Sequence, residues 1–167
     1  MFSEKGKRKE NERIIEEILC SRYNEYYRMV LGVLGNEEDA ADAVQEGAYR
    51  AIKSCGSLEK AEYASTWIYR IVINEAYRIL AKRKAVPLDK IPDMEVHMDS
   101  YEDFDLKDAL GKIAPKDRLI IQMKYFEDMK LEQIADILGE NISTVKSRLY
   151  RSLRKLRIVI EEGEQNE

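Results

Sequence analysis

Hydrophobic residues recur at helical spacing along most of the chain, and the places where this pattern stops divide it into elements. Three such runs are predicted to be the helices of an N-terminal domain: 13–34, 37–54 and 66–84. Gly35 ends the first run, and Asn36 is a suitable N-cap for the second. Residues 1–12 are charged and are expected to fray. The pattern thus predicts a helical domain over residues 10–85.

The periodicity disappears between residues 86 and 103. Pro87 and Pro92 disfavour helix here, and acidic residues greatly outnumber the basic Lys90. We expect an acidic linker, which is either a solvated spacer or a mimic of nucleic acid lying in a basic channel. The single histidine, His97, lies alone in this segment and is expected to have no function.

Helical periodicity resumes in a second domain, residues 104–161. Leu131–Leu138 has one apolar face, and Gly139 can adopt the positive φ that ends a helix. A second apolar run begins after Asn141. Two helices joined by a short turn containing glycine are typical of a helix-turn-helix motif. The predicted fold is therefore all-α, with two small helical domains joined by an acidic flexible linker and a helix-turn-helix in the C-terminal one.

The second helix of this motif is basic, although the chain carries a formal net charge of −4. Its segment from Ser143 to Arg157 contains no acidic residue. Hydroxyl groups near the helix start and cations along its outer face suit the major groove of DNA. The alternative is the solvated face of an ordinary bundle helix. The predicted DNA contacts are Thr144, Lys146, Ser147, Arg148, Arg151 and Lys155.

Two further polar surfaces are predicted on the N-terminal domain. The 37–54 helix is rich in alanine on its buried side, which predicts a close helix–helix approach, and acidic on the opposite side. That acidic side is either an ordinary solvated face or a docking surface for a basic partner. The 66–84 helix mixes aromatic, basic and amide side chains on one face, where aromatics can stack on unpaired bases. Alternatively, Trp67 and Tyr77 are core residues.

Composition excludes several classes of protein. Cys20 and Cys55 lack the spacing of a zinc site or a disulfide framework, so reduced thiols are expected. With one histidine, no glycine-rich phosphate loop and no cluster of metal ligands, we expect neither an enzyme nor a cofactor or metal. No apolar run approaches the length of a membrane span, so we expect a cytoplasmic protein without membrane insertion.

Three segments occur in a distinctive order: NEEDAADAVQEGAYRAI (36–52), STWIYRIVINEAYRIL (65–80) and LEQIADILGENISTVKSRLYRSLRKLR (131–157). Together they resemble bacterial RNA polymerase sigma factors of the sigma-70 family, extracytoplasmic-function (ECF) group, over nearly the whole chain. The resemblance implies a subunit that binds core RNA polymerase and directs promoter-specific transcription initiation. The remaining alternative is a stand-alone helix-turn-helix regulator whose N-terminal module serves dimerisation or sensing.

The resemblance also implies roles for particular surfaces. The helix-turn-helix would recognise the minus-thirty-five promoter element, and the linker would thread toward the RNA exit channel. The flap of the second-largest polymerase subunit is an implied partner. An anti-sigma factor is a further implied partner. The residues implied to dock on the clamp coiled coil of the largest subunit are Asp39, Asp42, Gln45 and Glu46.

The 66–84 helix and the loop before it would engage the minus-ten element and capture a base flipped out of the stack. The residues implied in this role are Tyr63, Trp67, Tyr69, Arg70, Asn74 and Arg78. A helical wheel places Tyr69 nearer the buried side. Members of the group often carry Phe near Ala64, and Tyr63 is its expected substitute here, so the promoter sequence itself is not predicted.

Overall fold

A computed structural model describes residues 3–84 and 104–164, which form seven α-helices in two modules and contain no strand. The N-terminal module comprises α1 (Glu4–Leu34), α2 (Glu37–Lys53) and α3 (Ala64–Lys84). The C-terminal module comprises α4 (Phe104–Gly111), α5 (Pro115–Tyr125), α6 (Leu131–Leu138) and α7 (Ile142–Glu164). The predicted all-α fold is confirmed, whereas the predicted linker 86–103, with His97, lies outside the described residues.

Glycine and asparagine set the helix boundaries as the sequence predicts. Gly35 and Gly139 end α1 and α6 with φ values of 63° and 66°, a conformation that glycine adopts without steric cost. The side-chain oxygens of Asn36 and Asn141 accept the backbone N–H three residues later, at 2.8 and 2.9 Å. Each such cap stabilises its helix by about 1 kcal/mol.

The first helix is longer than predicted. It begins at Glu4 rather than near Arg13, and the Ser3 hydroxyl caps it by accepting the Gly6 N–H at 3.3 Å. Asn11, within the segment expected to fray, is buried. At the other end of the chain, α7 continues to Glu164, beyond the predicted end of the C-terminal domain at residue 161. Both extensions are polar segments in which apolar periodicity gives no signal.

Helices α2 and α3 pack closely, as the alanines of α2 predict. A Cβ atom added at Gly47 would lie 2.8 Å from Cγ2 of Val72, so only glycine permits this approach. Helical periodicity assigns Ala41, Ala48 and Ile52 to the buried side, but they are only half-buried, so the buried face is rotated slightly from the predicted one. The buried residues of α2 are Ala40, Ala43, Val44, Gly47 and Ala51.

The two modules also pack against each other, with α5 on α1 and α6 on α3. Nε2 of Gln122 on α5 donates to the backbone carbonyl of Arg28 on α1 at 2.9 Å. Gly32, one turn further along α1, lies under the same amide. The apolar residues of both modules form one continuous core. The surfaces predicted to bind DNA are therefore arranged around a contact between modules.

Candidate nucleic-acid interface

The outer face of α7 is a dense basic surface. Val145 and Leu149 are buried against the rest of the C-terminal module and fix which side of the helix faces outward. The opposite side carries hydroxyls near the Asn141 cap and cations further along. Its exposed residues are Thr144, Lys146, Ser147, Arg151, Arg154 and Lys155. Such a surface, with no acidic residue between Ser143 and Arg157, can contact DNA phosphates and base edges.

Arg148 differs from the other cations of α7. Its Nε lies 2.7 Å from Oδ1 of Asp117 on α5, and its Nη1 lies 2.5 Å from Oε1 of Glu140 before α7. The side chain is only 16% exposed. Burial lowers the pKa of Arg148, but hydrogen bonds to the two carboxylates outweigh it and raise the pKa above its ordinary value. Arg148 thus joins α7 to α5 and to the turn, an arrangement that the helical wheel did not predict.

Four of the predicted minus-ten residues lie at the surface on or beside one face of α3. At about 100° per residue, Trp67, Asn74 and Arg78 share this face, and Tyr63 immediately precedes the helix. Tyr63 is 56% exposed, and Nζ of Lys60 lies 5.8 Å from its ring centroid. Asn74 and Arg78 are exposed, while Trp67 is half-buried against the core. The face therefore combines an aromatic ring, an amide and a cation.

Tyr69 is not part of that face. It lies in the core at 2% exposure, with its ring edge-on to Tyr26 at 4.5 Å between centroids. Its hydroxyl donates to Oε2 of Glu25 at 2.9 Å. Burial and that hydrogen bond raise the pKa of Tyr69 well above its ordinary range. We therefore remove Tyr69 from the candidate DNA contacts, because no side of its ring is accessible here.

Arg70 and Tyr77 lie on the side of α3 that faces the C-terminal module. The Arg70 guanidinium donates to the backbone carbonyl of Asp136 on α6. Tyr77 is half-buried beneath Lys116, whose Nζ lies 4.9 Å from the ring centroid. Burial raises the pKa of Tyr77 to about 12. The packing between modules thus engages one predicted minus-ten residue, Arg70, and leaves Asn74 open.

The acidic side of α2, with Asp39, Asp42 and Glu46, lines a groove of about 550 Å³ between α2 and α3. Asp42 is exposed there, whereas Gln45 is exposed but does not line the groove. Glu46 accepts from Nε of Arg50 at 2.8 Å, a pair at the i, i+4 spacing of a helix. Asp39 is paired with Arg83 of α3. The acidic edge of α2 therefore includes two carboxylates that are paired with basic residues, Glu46 with Arg50 and Asp39 with Arg83.

A buried carboxylate in this groove was not predicted. Glu75 of α3 is 5% exposed, and its Oε1 lies 2.9 Å from Nε of Arg50. Its Oε2 lies 3.6 Å from Nη1 of Arg78. In the sequence, the only signal was the i, i+3 spacing of Glu75 and Arg78. The network ties α2 to the face of α3 that carries Asn74.

Within the part of the chain that the structure describes, there is no group of three or more side chains able to hold a metal ion. None of the described helices is long and apolar enough to cross a membrane.

Comparisons with known proteins agree with this geometry. The family model described as sigma-70 region 2 matches residues 21–86, and that described as sigma-70, region 4 matches residues 103–156. RNA polymerase sigma factor SigV of Bacillus subtilis is 37% identical over 138 residues, covering 80% of this chain and 83% of that protein. An RNA polymerase sigma-E factor of Streptomyces antibioticus is 30% identical over 151 residues, covering 87% and 84%.

A solved structure has the same fold. The sigma factor RpoE from Bartonella quintana, in a co-crystal with the anti-sigma factor NepR, superposes with a TM-score of 0.71 at 22% identity, covering 87% of this chain and 96% of that one. Together with the helix-turn-helix and the α2–α3 surfaces, these matches identify the family. The chain belongs to the ECF group of the sigma-70 family of RNA polymerase sigma factors, which direct promoter-specific transcription initiation.

Proposed function

We propose that three surfaces of this sigma factor divide the work of initiation. The basic face of α7 recognises the minus-thirty-five element, the exposed face of α3 with the loop before it engages the minus-ten element, and the acidic edge of α2 docks on core polymerase. The observation that supports this most directly is the continuous exposed basic face of α7 on an acidic chain. A stand-alone regulator is not favoured, because the N-terminal module matches sigma-70 region 2.

The α7 surface suits duplex DNA. Thr144 and Ser147 lie in the first turns, where a recognition helix meets base edges, and Lys146, Arg151 and Lys155 extend along it toward phosphates. Arg148 has a different task in this proposal. Its two carboxylate partners fix the orientation of α7 on α5, and it approaches DNA only as part of that anchored surface.

The α3 surface suits single-stranded DNA. Tyr63 offers an exposed aromatic face, and a base flipped out of the stack regains part of its lost stacking energy on such a ring. Asn74 can donate hydrogen bonds to a base edge and accept them from it, and Arg78, one helical turn further along the same face, can hold a phosphate. Trp67, half-buried at the start of the same face, supports it from below.

The α2 edge suits a basic partner. Asp42, Gln45 and Glu46 are exposed, and the clamp coiled coil of the largest polymerase subunit is the proposed partner. A second contact, with the flap of the second-largest subunit, and inhibition by an anti-sigma factor go with the same function. The RpoE relative forms such a complex with NepR. A subunit of RNA polymerase acts at the chromosome, so a cytoplasmic location goes with this proposal.

Recruitment explains how an acidic chain recognises DNA. Each surface is small and binds weakly alone, but docking on polymerase makes recognition of the second element intramolecular. Arg70 contacts α6 in the packed arrangement, so full engagement of the minus-ten element requires α6 to separate from α3. The proposed sequence is docking, separation of the modules, and recognition of both elements.

The test is reconstitution with purified core polymerase and a library of promoter fragments. Asp42→Lys combined with Glu46→Lys is expected to abolish co-elution with the core. Asn74→Ala is expected to keep co-elution but to lose open complexes on duplex promoters, with recovery on a template already melted at the minus-ten element. Normal open-complex formation by Asn74→Ala, or unchanged co-elution of the charge-reversed protein, contradicts the corresponding assignment.

A further inference from the structure

The connecting loop between α2 and α3, residues 54–63, has a defined shape. It consists of two short 3-10 turns, Cys55–Ser57 and Ala61–Tyr63. Two residues of the loop, Cys55 and Leu58, are buried, whereas Tyr63 at its end is exposed. Because Cys55 and Leu58 anchor the loop, a shift of its backbone would change the position of the exposed Tyr63 ring.

One side chain outside the loop fixes its backbone. Nδ2 of Asn11 on α1 donates to the carbonyl of Cys55 and to the carbonyl of Leu58, both at 2.9 Å. Asn11 is 5% exposed, so both hydrogen bonds are shielded from water. They connect positions 44 and 47 residues apart in the sequence. They also satisfy two carbonyl groups that would otherwise be buried with less than their full complement of donors.

The chemistry of this position is specific to an amide. The two N–H groups of one Nδ2 atom reach both carbonyls, which a hydroxyl with a single O–H cannot do. A carboxylate of the same shape would present only acceptors to two acceptors and repel both. These two hydrogen bonds of Asn11 go to the loop and not to the proposed DNA-binding residues, so the effect proposed for it passes through the loop.

We propose that Asn11 is a positioning residue for minus-ten recognition: by clamping the connecting loop, it sets where Tyr63 meets the flipped base and so how strongly bases are distinguished there. This rests on the proposed function of Tyr63 and the α3 face. The clamp joins the N-terminal part of α1, which was expected to fray, to promoter specificity.

The test uses holoenzyme made from core polymerase and the full chain carrying Asn11→Asp. Two promoter libraries are transcribed, one randomised in the minus-ten element and one in the minus-thirty-five element, and transcripts are counted. Asn24→Asp is the matched control, since it makes the same change on an exposed position of the same helix. Asn11→Ser, which keeps one donor without adding charge, is the second variant.

We expect Asn11→Asp to reduce the preference between the best and worst minus-ten bases by roughly tenfold, and Asn11→Ser by about threefold, as one or two hydrogen bonds are lost. Preferences in the minus-thirty-five library should not change. Amide hydrogen exchange should accelerate at Ser57 and Tyr63 in both variants, and Asn24→Asp should match the unchanged protein.

A general loss of folded protein lowers transcription from every promoter and leaves these ratios unchanged, so ratios separate positioning from stability. The proposal is overturned if Asn11→Asp holoenzyme shows the same minus-ten base preferences as holoenzyme with the original chain, although amide exchange in the loop is faster. That result leaves the proposed function intact. An equal loss of base preference in the minus-ten and minus-thirty-five libraries overturns the proposal as well. If unchanged holoenzyme shows no minus-ten preference at all, the proposed function of the α3 face fails instead.

Discussion

The close packing of Gln122 against Gly32 predicts how Gly32→Ala changes the stability of the contact between modules. A Cβ atom added at Gly32 would lie 2.3 Å from Oε1 and 3.1 Å from Cδ of Gln122. A carbon and an oxygen normally approach no closer than about 3.3 Å, so the amide must move by roughly 1 Å. Its hydrogen bond to the Arg28 carbonyl, 2.9 Å long, does not survive such a shift.

The magnitude follows from two opposing effects. Losing the hydrogen bond and repacking the buried amide cost about 1–3 kcal/mol. Alanine in place of glycine inside a helix contributes about 1 kcal/mol in the opposite direction. Gly32→Ala is therefore expected to destabilise the protein by about 1 kcal/mol. When Gln122→Ala has already removed the amide, the same change at Gly32 should stabilise by about 1 kcal/mol, a coupling of about 2 kcal/mol.

Urea denaturation of the four proteins in this cycle measures the coupling, with far-UV circular dichroism and the fluorescence of the single tryptophan as probes. Gly56→Ala is a control, because a Cβ atom there meets nothing within 4 Å. A change in stability on Gly32→Ala that is equal in both backgrounds would refute the fit of Gln122 against α1.

Three further predictions concern packing and charge. Gly47→Ala is expected to cost about 1–3 kcal/mol in the free energy of unfolding by urea, and Val72→Ala in the same chain should recover part of it, since the added methyl and Val72 compete for one space. Glu127→Gln should stabilise the protein near pH 7. Burial raises the pKa of Glu127, so the folded state binds its proton more tightly than the unfolded chain does. The gain should shrink as pH falls through the raised pKa and vanish near pH 3, where both states are protonated, at about one unit below the ordinary glutamate pKa. An equal gain near pH 7 and near pH 3 contradicts this. Arg148→Ala should lower the unfolding free energy of the protein by about 1–3 kcal/mol, whereas Arg151→Ala should leave it unchanged and weaken promoter binding, as measured by denaturation and by mobility shift of holoenzyme.

Much of the fold could be predicted because the signals are local. Gly35 and Gly139 end helices, Asn36 and Asn141 begin them, and each acts within four residues of itself. The buried face of α2 could not be predicted residue by residue, since alanines lie on both sides of that helix and a helical wheel cannot separate them. Asn11 was missed because its partners are more than forty residues away, and a single buried amide does not interrupt a charged segment.

The candidate site shows the same limit. The order of the three surfaces along the chain could be predicted, but the surroundings of individual side chains could not. Tyr69 belongs to the core because of Glu25 and Tyr26 on α1, and Arg148 is half-buried because of carboxylates outside its own helix. These partners are brought together by packing between helices, which helical periodicity does not encode.

The contact between modules has consequences for the order of events at a promoter. In the packed arrangement the basic face of α7 is exposed, while Arg70 on α3 is bound to α6. Because α6 and α7 belong to one helix-turn-helix, freeing Arg70 also moves the basic face of α7 that is proposed to recognise the minus-thirty-five element.

Several polar interactions between described residues are broken in that step. They include the Gln122 and Arg70 hydrogen bonds, the pair of Arg28 with Glu127, 3.7 Å apart, and the contact of Lys116 with the Tyr77 ring. Arg28 is 47% exposed, so screening by solvent makes that pair weak. At about 1 kcal/mol per hydrogen bond, these polar interactions contribute only a few kcal/mol, to which the apolar α1–α5 contact adds. A partner that binds the separated modules in preference to the packed ones can supply free energy of that order, and docking on polymerase is the event proposed to do so. In this proposal, the contacts that hold Arg70 against α6 make minus-ten engagement depend on prior docking, and the weakened contact in Gly32→Ala should partly relieve that dependence.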